Sequence, residues 1–124
     1  MHDQPSTAEL VEAVKAFIDE TASPQLQGHA AFHARVASNV LATVLRELEQ
    51  RPSAEQEERA GLLALLPADE QTSLEVLNDE LCKQIQNGVL SVETPGLLEH
   101  LKRTTMAQVE IDQPRYSGLK TAKT

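Results

Sequence analysis

The segment from Gly28 to Arg51, GHAAFHARVASNVLATVLRELEQR, limits the fold most tightly, because it is the longest uninterrupted helical pattern in the chain. Plotted at about 100° per residue, Val36, Ala37, Val40, Leu41, Val44 and Leu48 gather on one side, with His33 among them. Arg35, Asn39 and Arg46 gather on the other side, within about 40° of one another. The pattern predicts a central helix with its apolar side in the core. His33 is then a buried, neutral imidazole hydrogen-bonded to a side chain or backbone group.

A core for this chain has to be built almost without aromatics. Two Phe, one Tyr and no Trp stand among 124 residues, so Leu, Val, Ile and Ala supply the apolar area. That balance favours helix on helix over an aromatic-rich β-sandwich. The length suits one small domain, expected over residues 1–118, with 119–124 as a mobile tail.

Start and stop signals divide the chain into a bundle of four to five helices with an irregular C-terminal tail. Ser6-Thr7-Ala8-Glu9 is a capping box that opens the first helix, and Leu10, Val11, Val14, Phe17 and Ile18 form its apolar stripe. That helix is expected to stop before Ser23-Pro24, since proline disfavours helix at the residue before it. The second runs from about His29 to Gln50 and is broken by Pro52-Ser53, after which Ser53-Ala54-Glu55-Gln56 reads as a second capping box. The third carries Leu62, Leu63, Leu65 and Leu66 and stops at Pro67. Thr72-Ser73-Leu74-Glu75 opens the fourth, which has Leu74, Leu77, Leu81 and Ile85 on one side and ends at Asn87-Gly88. After a short extended piece at Val89–Val92, Thr94-Pro95 opens the fifth, with Leu97, Leu98 and Leu101 inward and a stop at Asp112-Gln113-Pro114. Helices one and two carry the cleanest stripes and are the expected scaffold pair.

Charge bears on partners. The net charge is −8, but residues 1–99 carry 6 Lys/Arg against 17 Asp/Glu, while residues 100–124 carry 5 against 2. An acidic body repels phosphates, so neither nucleic acid nor an anionic membrane is an expected partner. The longest apolar run, Leu62 to Pro67, is far short of the ~20 residues of a membrane span. No signal or transit pattern opens the sequence, and the lone Cys82 has no internal disulfide partner, so a cytoplasmic location is expected.

Candidate chemistry is sparse. His29 and His33 have the i, i+4 spacing of two zinc ligands, but Ala30 follows His29 where a zinc protease carries its Glu. A third ligand, His100 or His2, would have to arrive by folding, so no metal is expected. Cys82 has Asp79 and Glu80 nearby, which oppose a thiolate. No phosphate loop, nucleophile elbow or dinucleotide fingerprint is present, and no catalytic residue or cofactor is expected. Two sets of residues remain as ligand- or partner-binding candidates. Arg35, Asn39 and Arg46 form the polar stripe, where a mid-helix Asn calls for a hydrogen-bond partner. Arg115 and Tyr116 form either a strap over the bundle or a contacting arm.

The opening Asp-Gln-Pro-Ser, the run FHARVASNVLATVLRELE and the closing PRYSG resemble a family of small uncharacterised bacterial proteins, a domain of unknown function. Members of that family tend to be encoded near aminoglycoside-phosphotransferase-like kinases and acyl-CoA dehydrogenases. The resemblance implies an accessory role beside a kinase-like or acyl-CoA-handling enzyme. The sequence therefore weighs toward a non-catalytic accessory or interaction protein, with a protein partner or self-association. The alternative is a binder of a small anionic ligand, such as CoA or a nucleotide phosphate, or an enzyme of unknown reaction.

Overall fold

The computed structural model describes residues 4–124, leaving His2 outside the described residues. The protein is all-α, with five α-helices and no strand among the described residues: α1 (Thr7–Phe17), α2 (Gly28–Leu65), α3 (Leu74–Gln86), α4 (Leu97–Asp112) and α5 (Ser117–Lys123). Its contacts fall into two compact units, Met1–Arg51 and Pro52–Thr124.

In the first unit, the Ser6 capping box forms as its sequence demands. Ser6 Oγ accepts from the Glu9 N–H at 3.1 Å, and Glu9 Oε1 accepts from the Ser6 N–H at 2.9 Å. The helical path then runs past the expected stop, through a π turn (Ile18–Ala22) and a 3-10 turn (Ser23–Gln25) that takes Pro24 into its first positions. Asp19, in the π turn, pairs with Lys15 at 2.8 Å and accepts from Ser38 Oγ of α2 at 2.5 Å. Both bonds favour the carboxylate, the Lys15 bond most, and hold its pKa below the ordinary value.

The less exposed face of this part of α2 is not the one its hydrophobicity suggests. Ser38 is the buried residue, Ala31, Ala34, Leu41 and Leu45 beside it are half-buried, and Val36, Val40, Val44 and Leu48 are exposed. Ser38 is held inward by its bond to Asp19, and the bulkier valines are left outside. His33 goes out with them and is exposed, contrary to the expectation of a buried imidazole. No apolar side chain in the described part of this unit is buried. The pair expected to be the scaffold therefore holds no core of its own.

Pro52 does not break α2, and the expected third helix is the C-terminal part of this 38-residue helix. A mid-helix proline costs about 3 kcal/mol, because it cannot donate to the carbonyl four residues back and its ring crowds that group. Here Pro52 and Leu48 are both exposed, so water can reach the Leu48 carbonyl. Downstream, Leu62 and Leu66 are buried in the core of the second unit, which favours continuing the helix.

That second core joins Leu62 and Leu66 to Leu77 and Leu81 of α3, Leu90 of the following connection and Leu97 of α4. Ser73 caps α3, its hydroxyl accepting from the Val76 N–H at 3.2 Å. Asn87-Gly88 ends α3 in a Schellman motif: Gly88 has φ +77°, the Val89 N–H reaches the Gln84 carbonyl at 2.9 Å, and the Gly88 N–H reaches that of Ile85 at 3.2 Å. Val89–Val92 is a bend and turn, not an extended piece, with Leu90 tucked inward between two exposed valines.

Thr94-Pro95-Gly96-Leu97 closes with a Leu97 N–H to Thr94 carbonyl bond of 3.2 Å and φ +89° at Gly96, as in a type II turn. Pro95 thus lies in the turn ahead of α4, and the helix starts two residues later than expected. The inward row of α4 also differs: Leu97, His100 and Ile111 are buried, whereas Leu98 and Leu101 are exposed. The tail expected to be irregular turns into α5, with Leu119 buried and Lys123 paired to Glu110 at 2.7 Å. A seven-residue helix has too few turns to show periodicity, which is why its sequence reads as irregular.

Candidate functional site

On α2, the expected polar stripe is present but largely occupied with its own helix. Arg46 Nη2 donates to Thr43 Oγ1 at 3.0 Å, and Thr43 donates to the Asn39 carbonyl at 3.3 Å. Arg35 lays its guanidinium 5.9 Å from the centre of the Phe32 ring, a cation–π contact. The same ring meets His33 edge-on, at 5.5 Å and 70°. Arg35 and Asn39 are exposed and Arg46 is half-buried, so the stripe is a surface.

The larger feature of this unit is the row beside it. Phe32, Val36, Val40, Val44 and Leu48 follow one another at every fourth residue and are all exposed, Val40 most at 55%. On α1, Leu10, Val14 and Phe17 are each more than half exposed. This exposed apolar row is the most extended feature of its kind among the described residues of the first unit. The sequence announces its residues and misplaces them, because periodicity identifies an apolar face without saying what covers it.

Arg115 and Tyr116 lie in the second unit, apart in sequence and in contact unit from the α2 stripe. Both are exposed, and the Tyr116 ring lies over Gly118 of α5, at the position a side chain there would fill. The Tyr116 carbonyl accepts from the Leu119 N–H at 3.1 Å, starting α5. Tyr116 therefore covers the first turn of its own helix.

The buried histidine is His100, which spacing alone does not single out. It is 2% exposed, and its ring presses on the Cα of Gly61 of α2, so closely that a Cβ at Gly61 would overlap Nδ1 and come within 2.8 Å of Cε1. Nδ1 is buried without a hydrogen-bond partner. Desolvation, then the nearby Arg103 guanidinium, lowers the pKa of His100, while the Glu58 carboxylate pulls the other way. Glu58 itself accepts from Asn78 Nδ2 at 3.0 Å. A neutral imidazole packed as an apolar group is the result. The signal available in the sequence was Gly61, a glycine inside a leucine-rich helix, which marks a close approach.

Two shallow depressions open on the second unit. One, about 330 Å³, lies between Glu57 of α2 and Glu99, Lys102, Arg103 and Glu110 of α4. Three carboxylates outweigh its two cations, and Glu110 is already paired with Lys123, so the lining disfavours a phosphate. The other, about 250 Å³, is bordered by Pro67, Val76, Leu77, Glu80 and Gln84. Among the described residues no three His, Cys, Asp or Glu side chains converge as a metal site, and His29, His33 and Cys82 are all exposed. No helix among the described residues is long and apolar enough to cross a membrane.

The family model of the domain of unknown function DUF6285 matches residues 24–116, three-quarters of the chain. The chain belongs to the DUF6285 family. No curated protein and no solved structure matches it. The matched segment includes the whole of α2, the Gly61–His100 contact and the start of the Tyr116 strap, while α1 lies outside it.

Proposed function

We propose that this DUF6285 member is a non-catalytic accessory protein of the bacterial cytoplasm that acts by docking onto a larger metabolic enzyme. The observation that carries the reading is the contrast between the two units. The second encloses its own leucine core, whereas the first leaves Leu10, Val14 and Phe17 of α1 and the Phe32–Leu48 row of α2 exposed. Exposed apolar rows of this extent are a feature of surfaces that meet another macromolecule. The chemistry of the stripe supports the same view, since Arg35 engages Phe32 and Arg46 engages Thr43 of the same helix. The partner is a kinase-like or acyl-CoA-handling enzyme, the class that the family resemblance implies.

The test is a tagged full-length chain retrieved from its native cytosol, followed by reconstitution with the purified candidate enzyme. Stoichiometric co-elution of a kinase-like or acyl-CoA enzyme supports the accessory role. A blank, together with a thermal upshift by CoA or a nucleotide, would replace it with a ligand-binding role for Arg35, Asn39 and Arg46 or for Arg115 and Tyr116.

A further inference from the structure

We propose that His100 is a proton-operated latch between α4 and α2, whose protonation frees the first turns of α4 while α2 and α3 stay packed together.

The seat of the ring accepts a neutral imidazole and has no place for a second proton. His100 is 2% exposed, and its ring presses on Gly61 so closely that not even a methyl group fits between them. Nδ1 is buried without a hydrogen-bond partner. A neutral imidazole carries one proton, and with that proton on Nε2 the unpartnered Nδ1 is only an idle acceptor. An imidazolium carries a proton on both nitrogens, so Nδ1 would become a charged donor shut off from water and from any acceptor. A buried donor left in that state costs its full desolvation, and more when it bears charge.

The charges that act on the ring come from two helices. Burial disfavours the added proton most, and the Arg103 guanidinium of α4 itself repels it. The Glu58 carboxylate of α2 attracts it, but Glu58 is already engaged by Asn78 Nδ2 of α3 at 3.0 Å. The closed contact therefore favours the neutral ring, and a ring released into water regains its ordinary affinity for a proton.

The packing determines which part gives way. His100 lies on the inward row of α4 with Leu97 and Ile111, so its ring reaches water when this stretch of helix lifts off α2. In the leucine core, Leu62, Leu66, Leu77, Leu81 and Leu90 belong to α2, α3 and the connection after it, and α4 lends Leu97 alone. That core keeps most of its members when the first turns of α4 leave. At the other end of α4, Glu110 is paired with Lys123 of α5 at 2.7 Å, and Leu119 of α5 is buried, so the far end keeps its own attachments.

The test is amide hydrogen exchange of the full chain, read by mass spectrometry between pH 7 and pH 5 and corrected for the intrinsic chemical rate. Residues 98–106 of α4 are expected to open more often than residues 75–86 of α3 throughout. Their opening is expected to rise as the pH falls below about 6.5, by at most about tenfold per unit, until the closed imidazole itself takes the proton. His100→Leu fills the same seat with a side chain that takes up no proton, and is expected to remove this rise. A proton NMR titration of the unaltered chain is expected to show His100 titrating below 6.5. Equal opening of α3 and α4 across the range would make the release global and overturn the proposal. So would a rise that persists in His100→Leu, or a His100 that titrates at or above 6.5 in the unaltered chain.

Discussion

Replacing Gly61 by alanine should destabilise this protein, against the usual trend for a glycine inside a helix. An alanine there would ordinarily gain about 0.5–1 kcal/mol, because glycine loses more backbone freedom on folding. Here the new methyl would overlap Nδ1 of His100 and lie 2.8 Å from Cε1 and 3.4 Å from Cγ. The ring has little room to retreat, since His100 is 2% exposed. Overpacking a tight contact costs about 1–3 kcal/mol, so the net expectation is a loss of about 1–2 kcal/mol. Urea unfolding followed by far-ultraviolet circular dichroism at pH 7.5 measures it. The decisive step repeats the substitution in a His100→Ala background, where the obstruction is gone and Gly61→Ala should stabilise by up to about 1 kcal/mol. A stabilised single variant, or the same change in both backgrounds, would refute the close contact.

The same imidazole gives a pH dependence. Its folded pKa is lowered, so below about pH 6.5 the unfolded chain binds the proton first, and stability should fall with pH by at most about 1.4 kcal/mol per unit until the folded pKa is reached. His100→Leu should flatten that part of a urea-midpoint profile, and an unchanged slope would contradict the assignment. Leu62→Ala, at a fully buried position, should cost about 2–5 kcal/mol, and Leu41→Ala less, because Leu41 is only half-buried. Equal losses in thermal melts would restore Leu41 to a core. Ser38→Ala should cost about 0.5–1.5 kcal/mol through the lost bond to Asp19, which keeps Lys15. Arg35→Ala should stay within about 0.5 kcal/mol, and a larger loss by the same melts would mean that its surface is covered.

What the sequence disclosed was mostly local. The Ser6 capping box, the helix start within Thr72–Glu75 and the Asn87-Gly88 stop depend on residues within one turn of each other, and all three form. The all-α class followed from the same signals and from the lack of aromatics. What stayed hidden depended on partners distant in sequence. The Val36–Leu48 row outranks Ala31, Ala34 and Ser38 on any hydrophobic scale, but Ser38 is the one with a partner, Asp19, nineteen residues away in sequence. Pro52 carries a local penalty that the distant contacts of Leu62 and Leu66 offset. His33 had the better helical position and His100 the better packing partner, Gly61, on another helix. Of the candidate site, Arg35 and Asn39 are exposed and Arg46 is half-buried. Their engagement with Phe32 and Thr43 follows from rotamers that a wheel does not represent.

The Tyr116 ring over Gly118 has a spectroscopic consequence. Without tryptophan, this single phenol dominates the near-ultraviolet emission of the chain. Its intensity and polarisation should therefore follow the first turn of α5, while melting of the leucine core passes almost unseen at those wavelengths. A fluorescence transition that precedes the loss of backbone ellipticity would register the C-terminal helix letting go, with the rest of the unit still folded.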